Sequence, residues 1–162
     1  MSNRQAPPTD IGKFYKQIED FKTKIVGILQ KLGKTQELID IEKYYDKLLL
    51  LKKANVRKAI ELLYQYGVTV YATQILLRDE QFFIGQVKTI SENGKINDEY
   101  ELNQNDVLFI NQIQPVWEHL SDPVKTNIWN YVQVICLLAE KIVKGNLLAN
   151  ETLRLKQTGQ LK

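Results

Sequence analysis

Sulfur and imidazole are nearly missing from this chain, which holds one cysteine, Cys136, and one histidine, His119, among its 162 residues. A lone cysteine excludes an intramolecular disulfide and any cysteine-based zinc cluster. A lone histidine leaves almost no material for a His-rich metal site. A Cys–His catalytic pair would need Cys136, which sits on an apolar helical stripe and reads as a buried structural thiol. No metal, cofactor or small-molecule ligand is expected. Long apolar runs are missing too: none approaches the roughly 20 residues of a membrane span. Residues 1–10 are polar, with Pro7 and Pro8, and lack the apolar segment of a secretory signal. The expected setting is a reducing, aqueous compartment, with no secretion. Charge of one sign is also scarce, at a formal net +3. So small an excess permits an anionic partner without demanding one.

What is present suits one globular domain. The length allows one real core but not two, and the apolar (44%) and charged (25%) fractions are ordinary for a soluble fold. Residues 1–9 read as a flexible arm, 10–145 as a helical domain and 146–162 as a polar, mildly basic, mobile tail.

Helical spacing dominates the domain. After Thr9 or Asp10 as cap, Phe14, Ile18, Phe21, Ile25, Ile28, Leu29 and Leu32 recur every three or four residues until Gly33. A second helix from about Thr35 carries Leu38, Ile41, Tyr45, Leu48 and Leu49 inward. A third, capped by Asn55, carries Val56, Ala59, Ile60 and Leu63 and stops at Gly67. Residues 69–83 are read as a helix despite strand-favouring Val68, Thr69 and Val70. Residues 88–104 are read as an acidic loop or a short hairpin about Asn93-Gly94. A helix over 105–113 is interrupted by Pro115, and a short continuation holds Trp117 and Leu120. Ser121-Asp122-Pro123 opens the clearest helix, running to Lys144. It bears one apolar line of Ile128, Val132, Ile135, Ala139 and Ile142 and another of Trp129, Cys136 and Val143. The sum is an all-α, single-domain bundle of about five to six helices.

Candidate chemistry is thin. Asp79 and Glu80 precede Phe82 and Phe83, and desolvated carboxylates of this kind serve as acids or metal ligands. Adjacent helical residues point about 100° apart, however, which favours a cap or a solvated edge. Glu118-His119 ends a short helix, where histidine commonly meets the last carbonyls. The glycines lack the spacing of a phosphate loop. Lys43, Lys47, Lys52, Lys53, Arg57 and Lys58 form the densest cationic cluster and are the candidate nucleic-acid contacts, although interspersed acids weaken their field. The run of Leu48, Leu50 and Leu51 is wider than one stripe and is the candidate protein interface.

The stretches 75–83 and 116–121, with Lys125, Ile128-Trp129-Asn130-Tyr131 and Leu137-Leu138-Ala139-Glu140, resemble short helical proteins of nucleo-cytoplasmic large DNA viruses of algae and amoebae. The resemblance spans roughly residues 14–144 and carries no functional residues. It implies a protein of the host cytoplasm or the virion. The leading expectation is a non-enzymatic viral helical protein that binds a viral protein or itself, as an assembly component. The alternatives are a nucleic-acid-binding accessory protein using the 43–58 face and the tail, and a bundle of the Bcl-2 type that grips a host helix. An enzyme would centre on Asp79 and Glu80.

Overall fold

The computed structural model describes residues 9–84, 95–97 and 102–162. Within them the chain is an all-α bundle around one core. Residues 1–8 of the arm expected at 1–9, and the Asn93-Gly94 turn, lie outside the described residues.

Helix α1 (Asp10–Lys31) begins as its sequence requires: Thr9 Oγ1 accepts the Gly12 N–H at 3.0 Å. It ends at Gly33, whose φ of 66° is one that glycine adopts without strain. Phe14, Ile18, Phe21, Ile25 and Leu29 are buried on one face. Leu32, expected on that face, is instead the exposed C-cap residue. Helix α2 (Thr35–Ala54) follows antiparallel neighbour logic across the short turn and packs on α1 with Ile41, Leu48 and Leu51 buried.

Helix α3 (Lys58–Leu63) was expected to stop at Gly67. It runs instead through a π-helical turn (Tyr64–Val68) into α4 (Thr69–Leu77). Gly67 is buried within that π turn without a positive φ, and a Cβ there would lie 3.2 Å from the Leu63 side chain, so this glycine serves packing and not termination. The π turn rotates the following face, and Tyr71 departs from helical geometry (φ −119°) just beyond it. The expected continuous helix over 69–83 is broken at Arg78, which takes a left-handed conformation (φ 54°). A short α5 (Gln81–Ile84) then starts anew. Val56, expected inward on the third helix, is partly exposed before that helix begins.

Strands β1 (Lys95–Asn97) and β2 (Leu102–Asn103) form an antiparallel pair. The pair lies within 88–104, where a loop or short hairpin was expected. The expected helix at 105–113 is two short pieces, α6 (Gln104–Val107) and α7 (Ile110–Ile113), split by the left-handed Phe109. The α-helix stops at Ile113 ahead of Pro115, as expected, and the short continuation is a 3-10 helix (Gln114–His119) that holds Trp117; Pro115 lies in its first turn, where its missing N–H costs nothing.

Helix α8 (Asp122–Val143) is the central element and packs most extensively against α1. Both apolar lines are turned inward, with Ile128, Trp129, Val132, Ile135, Cys136, Ala139 and Ile142 buried. Lys144, not Gly145, takes the left-handed cap (φ 60°). Gly145 is required for another reason: a Cβ would lie 2.2 Å from Tyr64 Oη.

The mobile tail is corrected outright. Residues Leu147–Gln157 form helix α9, which packs on α4 and buries Leu148 and Leu155. Those two leucines, seven residues apart, lie on one line of the helix.

Aromatic rings fill the middle. Phe83 stacks on Trp117 (4.5 Å between centroids) and meets Trp129 edge-on at 4.8 Å, and Phe82 bridges Trp129 to Tyr71. Both stretches that carry the viral resemblance therefore meet in one cluster. The residues that prompted it are core residues.

Candidate interaction surface

Each polar group that sequence reasoning singled out as chemistry has a bonding partner or an ordinary surface position. Asp79 Oδ1 accepts the Gln81 N–H at 3.0 Å and so caps α5. Glu80 Oε1 accepts from Trp117 Nε1 and from Lys125 Nζ, each at 3.1 Å, while the Lys125 ammonium lies 5.2 Å from the centre of the Trp117 ring. The hydrogen bond from Lys125, and next that from Trp117, hold the Glu80 carboxyl below its usual range. The two carboxylates bond to different groups on different elements. Cys136 is fully buried, and burial pushes its thiol up to about 12, which removes the thiolate that a nucleophile needs. His119 is exposed at the end of the 3-10 helix. Among the described residues no group of three or more His, Cys, Asp or Glu side chains gathers. No described helix is long and apolar enough to cross a membrane.

Sequence reasoning missed Glu140. This buried carboxylate accepts from Tyr64 Oη (2.8 Å), Leu148 N (2.7 Å) and Ala149 N (3.2 Å). It thus caps α9 from the neighbouring helix, a placement favoured by the positive end of the helix dipole. Beside it, Arg57 donates to the Ile142 carbonyl at 3.2 Å and satisfies the C-terminal end of α8.

The six candidate nucleic-acid contacts do not make one face. At 100° per residue, Lys43 and Lys53 fall on the outer side of α2, and Lys52 falls on the opposite side. There its ammonium lies 4.8 Å from the Tyr15 ring centre. Lys47 and Lys43 flank the Tyr44 ring at 5.7 and 5.8 Å. Arg57 is engaged with Ile142 and with Glu61 (3.5 Å), and Lys58 opens α3.

The leucine run divides in the same way. Leu48 and Leu51 are core residues, so they leave the candidate interface, whereas Leu50 is 54% exposed. Its companion is one that sequence reasoning did not pick: Ile39, 57% exposed. Eleven residues separate the two, which places them within about 20° of each other around the helix and about 16 Å apart along it. Lys43, Asp46 and Lys53, all exposed, complete that face. Helix α2 is thus covered on one side and open on the other. Period-3.6 spacing from Ile39 could have found this face, but the unbroken run of leucines masked it.

A groove of about 560 Å³ runs between α1 and α8. Thr23, Lys24, Gly27, Ile28, Asn127 and Tyr131 are among its walls. Ile28, Val124 and Tyr131 share it with the charged side chains of Asp20, Lys24 and Lys31.

The described residues form an all-α bundle in which α2 presents an aliphatic and charged face to solvent. No family model, curated protein or solved structure matches it.

Proposed function

We propose that this chain is a non-enzymatic helical protein that acts by binding other proteins through the outer face of α2. The observation that carries the reading is the pair Ile39 and Leu50, two large aliphatic side chains more than half exposed and aligned on the side of α2 away from the core. Scattered surface leucines are ordinary, but an aligned aliphatic pair framed by charges is the pattern of a helix that packs on something outside its own domain. The carboxylates and the thiol most open to a catalytic reading hold the fold together, which also weighs toward binding. The setting we favour, particle assembly or an infected-cell complex in host cytoplasm or virion, rests only on the sequence resemblance to giant-virus proteins.

A photo-crosslinking residue at Leu50 tests this in cells that express the protein. The expected result is a covalent adduct well above monomer mass, absent when the same residue replaces Leu153, an exposed leucine of α9. No adduct at Leu50, or equal adducts at both sites, would overturn the reading.

A further inference from the structure

The outer face of α2 has a spacing of its own. Ile39, Lys43, Asp46, Leu50 and Lys53 follow one another at intervals of four, three, four and three, the d-a-d-a-d repeat of a coiled-coil seam. With Gln36 in front it spans the whole of α2. Of these, Gln36, Ile39, Lys43, Asp46, Leu50 and Lys53 are all exposed. A seam this short, with charges at its centre, does not hold a helix pair by burial alone. The charges set the orientation.

In an antiparallel pair related by a two-fold axis, each a position shares a layer with a d position of the other helix. With the axis between residues 44 and 45, Ile39 falls beside Leu50 of the second copy, and Leu50 beside its Ile39. Lys43 falls beside the second copy's Asp46, and Asp46 beside its Lys43. Gln36 and Lys53 share the outer layers. Every layer is complementary: aliphatic on aliphatic, cation on anion, amide on cation. The parallel alternative puts Lys43 on Lys43 and Asp46 on Asp46, which like-charge repulsion disfavours.

From this pattern we infer that the partner of the α2 face is a second copy of this chain, docked antiparallel on the same face. The inference rests on the reading of that face as an interaction surface and names its occupant. One helix pair of about 30 Å buries less than the about 1,600 Å² of a standard interface, so the dimer is expected to be weak.

Sedimentation equilibrium of the full chain, from about 1 µM to about 1 mM, reads the association directly. The wild type should shift from monomer toward dimer across that range. Leu50→Glu and Lys43→Glu should each weaken association at least about tenfold. The double variant Lys43→Glu with Asp46→Lys, which exchanges the two charges, should return to within about threefold of wild type. The substituted side chains are exposed, and circular dichroism on each variant verifies folding. Orientation has its own readout: a mixture of Ile39→Cys and Leu50→Cys chains should form a mixed disulfide, while Ile39→Cys alone should not pair with itself, because its two copies lie about 16 Å apart. A wild type that stays monomeric throughout, a charge exchange that restores nothing, or self-pairing of Ile39→Cys would each overturn the inference. If the wild type is monomeric while a crosslinker at Leu50 still captures another protein, self-association is wrong and the interaction surface stands.

Discussion

Acidic side chains tie parts of this fold together by accepting hydrogen bonds from neighbouring elements. Glu151, near the middle of α9, accepts from Arg154 (2.6 and 2.8 Å) and from the Thr73 hydroxyl of α4. The Arg154 bonds first, then that from Thr73, hold its carboxyl down at about 2 from an ordinary 4.5. A depressed folded value means that the unfolded chain takes up the proton first as acid is added. The contribution is therefore whole above pH 4.5 and fades as pH falls toward about 2. Urea unfolding of wild type and Glu151→Gln should show this as a difference in midpoint at neutral pH that closes between those limits. Curves that run parallel down to pH 2 would remove Glu151 from the account. Glu80 should add loss of the same sign, because Lys125 and Trp117 depress it in the same direction.

Among elements, α9 depends most on a residue outside itself. Its first N–H groups at Leu148 and Ala149 end on Glu140 of α8, while its own N-cap, Asn146, makes no side-chain cap bond. Glu140→Ala strands those N–H groups and the Tyr64 hydroxyl, at a cost of about 3 kcal/mol. Hydrogen exchange should then show lost protection over 147–157 with α1 still protected. Equal loss in both helices would mean that α9 does not open on its own. The same helix explains what the sequence could and could not disclose. Thr9, Gly33 and the two lines of α8 were legible because cap, stop and stripe are local patterns. Helix α9 was not, because its cap is supplied from another helix and only Leu148 and Leu155 of its residues are buried. Gly67 misled for a related reason: a glycine that ends a helix and one that lets a side chain approach look alike in sequence. The all-α class and the membership of the aromatic core were readable from spacing. The proposed interaction face was half readable, since Leu50 belonged to the run that drew attention, but which leucines of that run point outward depends on where the core lies.

At the scale of the whole molecule, the bundle buries most of its large apolar residues; among the described residues left more than half exposed, Ile39 and Leu50 share one face of α2, while Val70, Leu137 and Leu153 stand singly on α4, α8 and α9. Helices α1 and α8 bury their aromatic and aliphatic stripes against each other, and α9 closes the bundle beside α4. Helix α2, 20 residues long, has an open face whose aliphatic and charged positions complement themselves when the helix is turned end for end. The central claim is that this face is where the protein meets a protein, and first of all another copy of itself. Amide chemical shifts followed from dilute to concentrated solution test it residue by residue. The account predicts concentration-dependent shifts that centre on Ile39, Lys43, Asp46, Leu50 and Lys53 and spare the α1–α8 groove. Shifts that centre on the groove, or no shifts at any concentration, would contradict it.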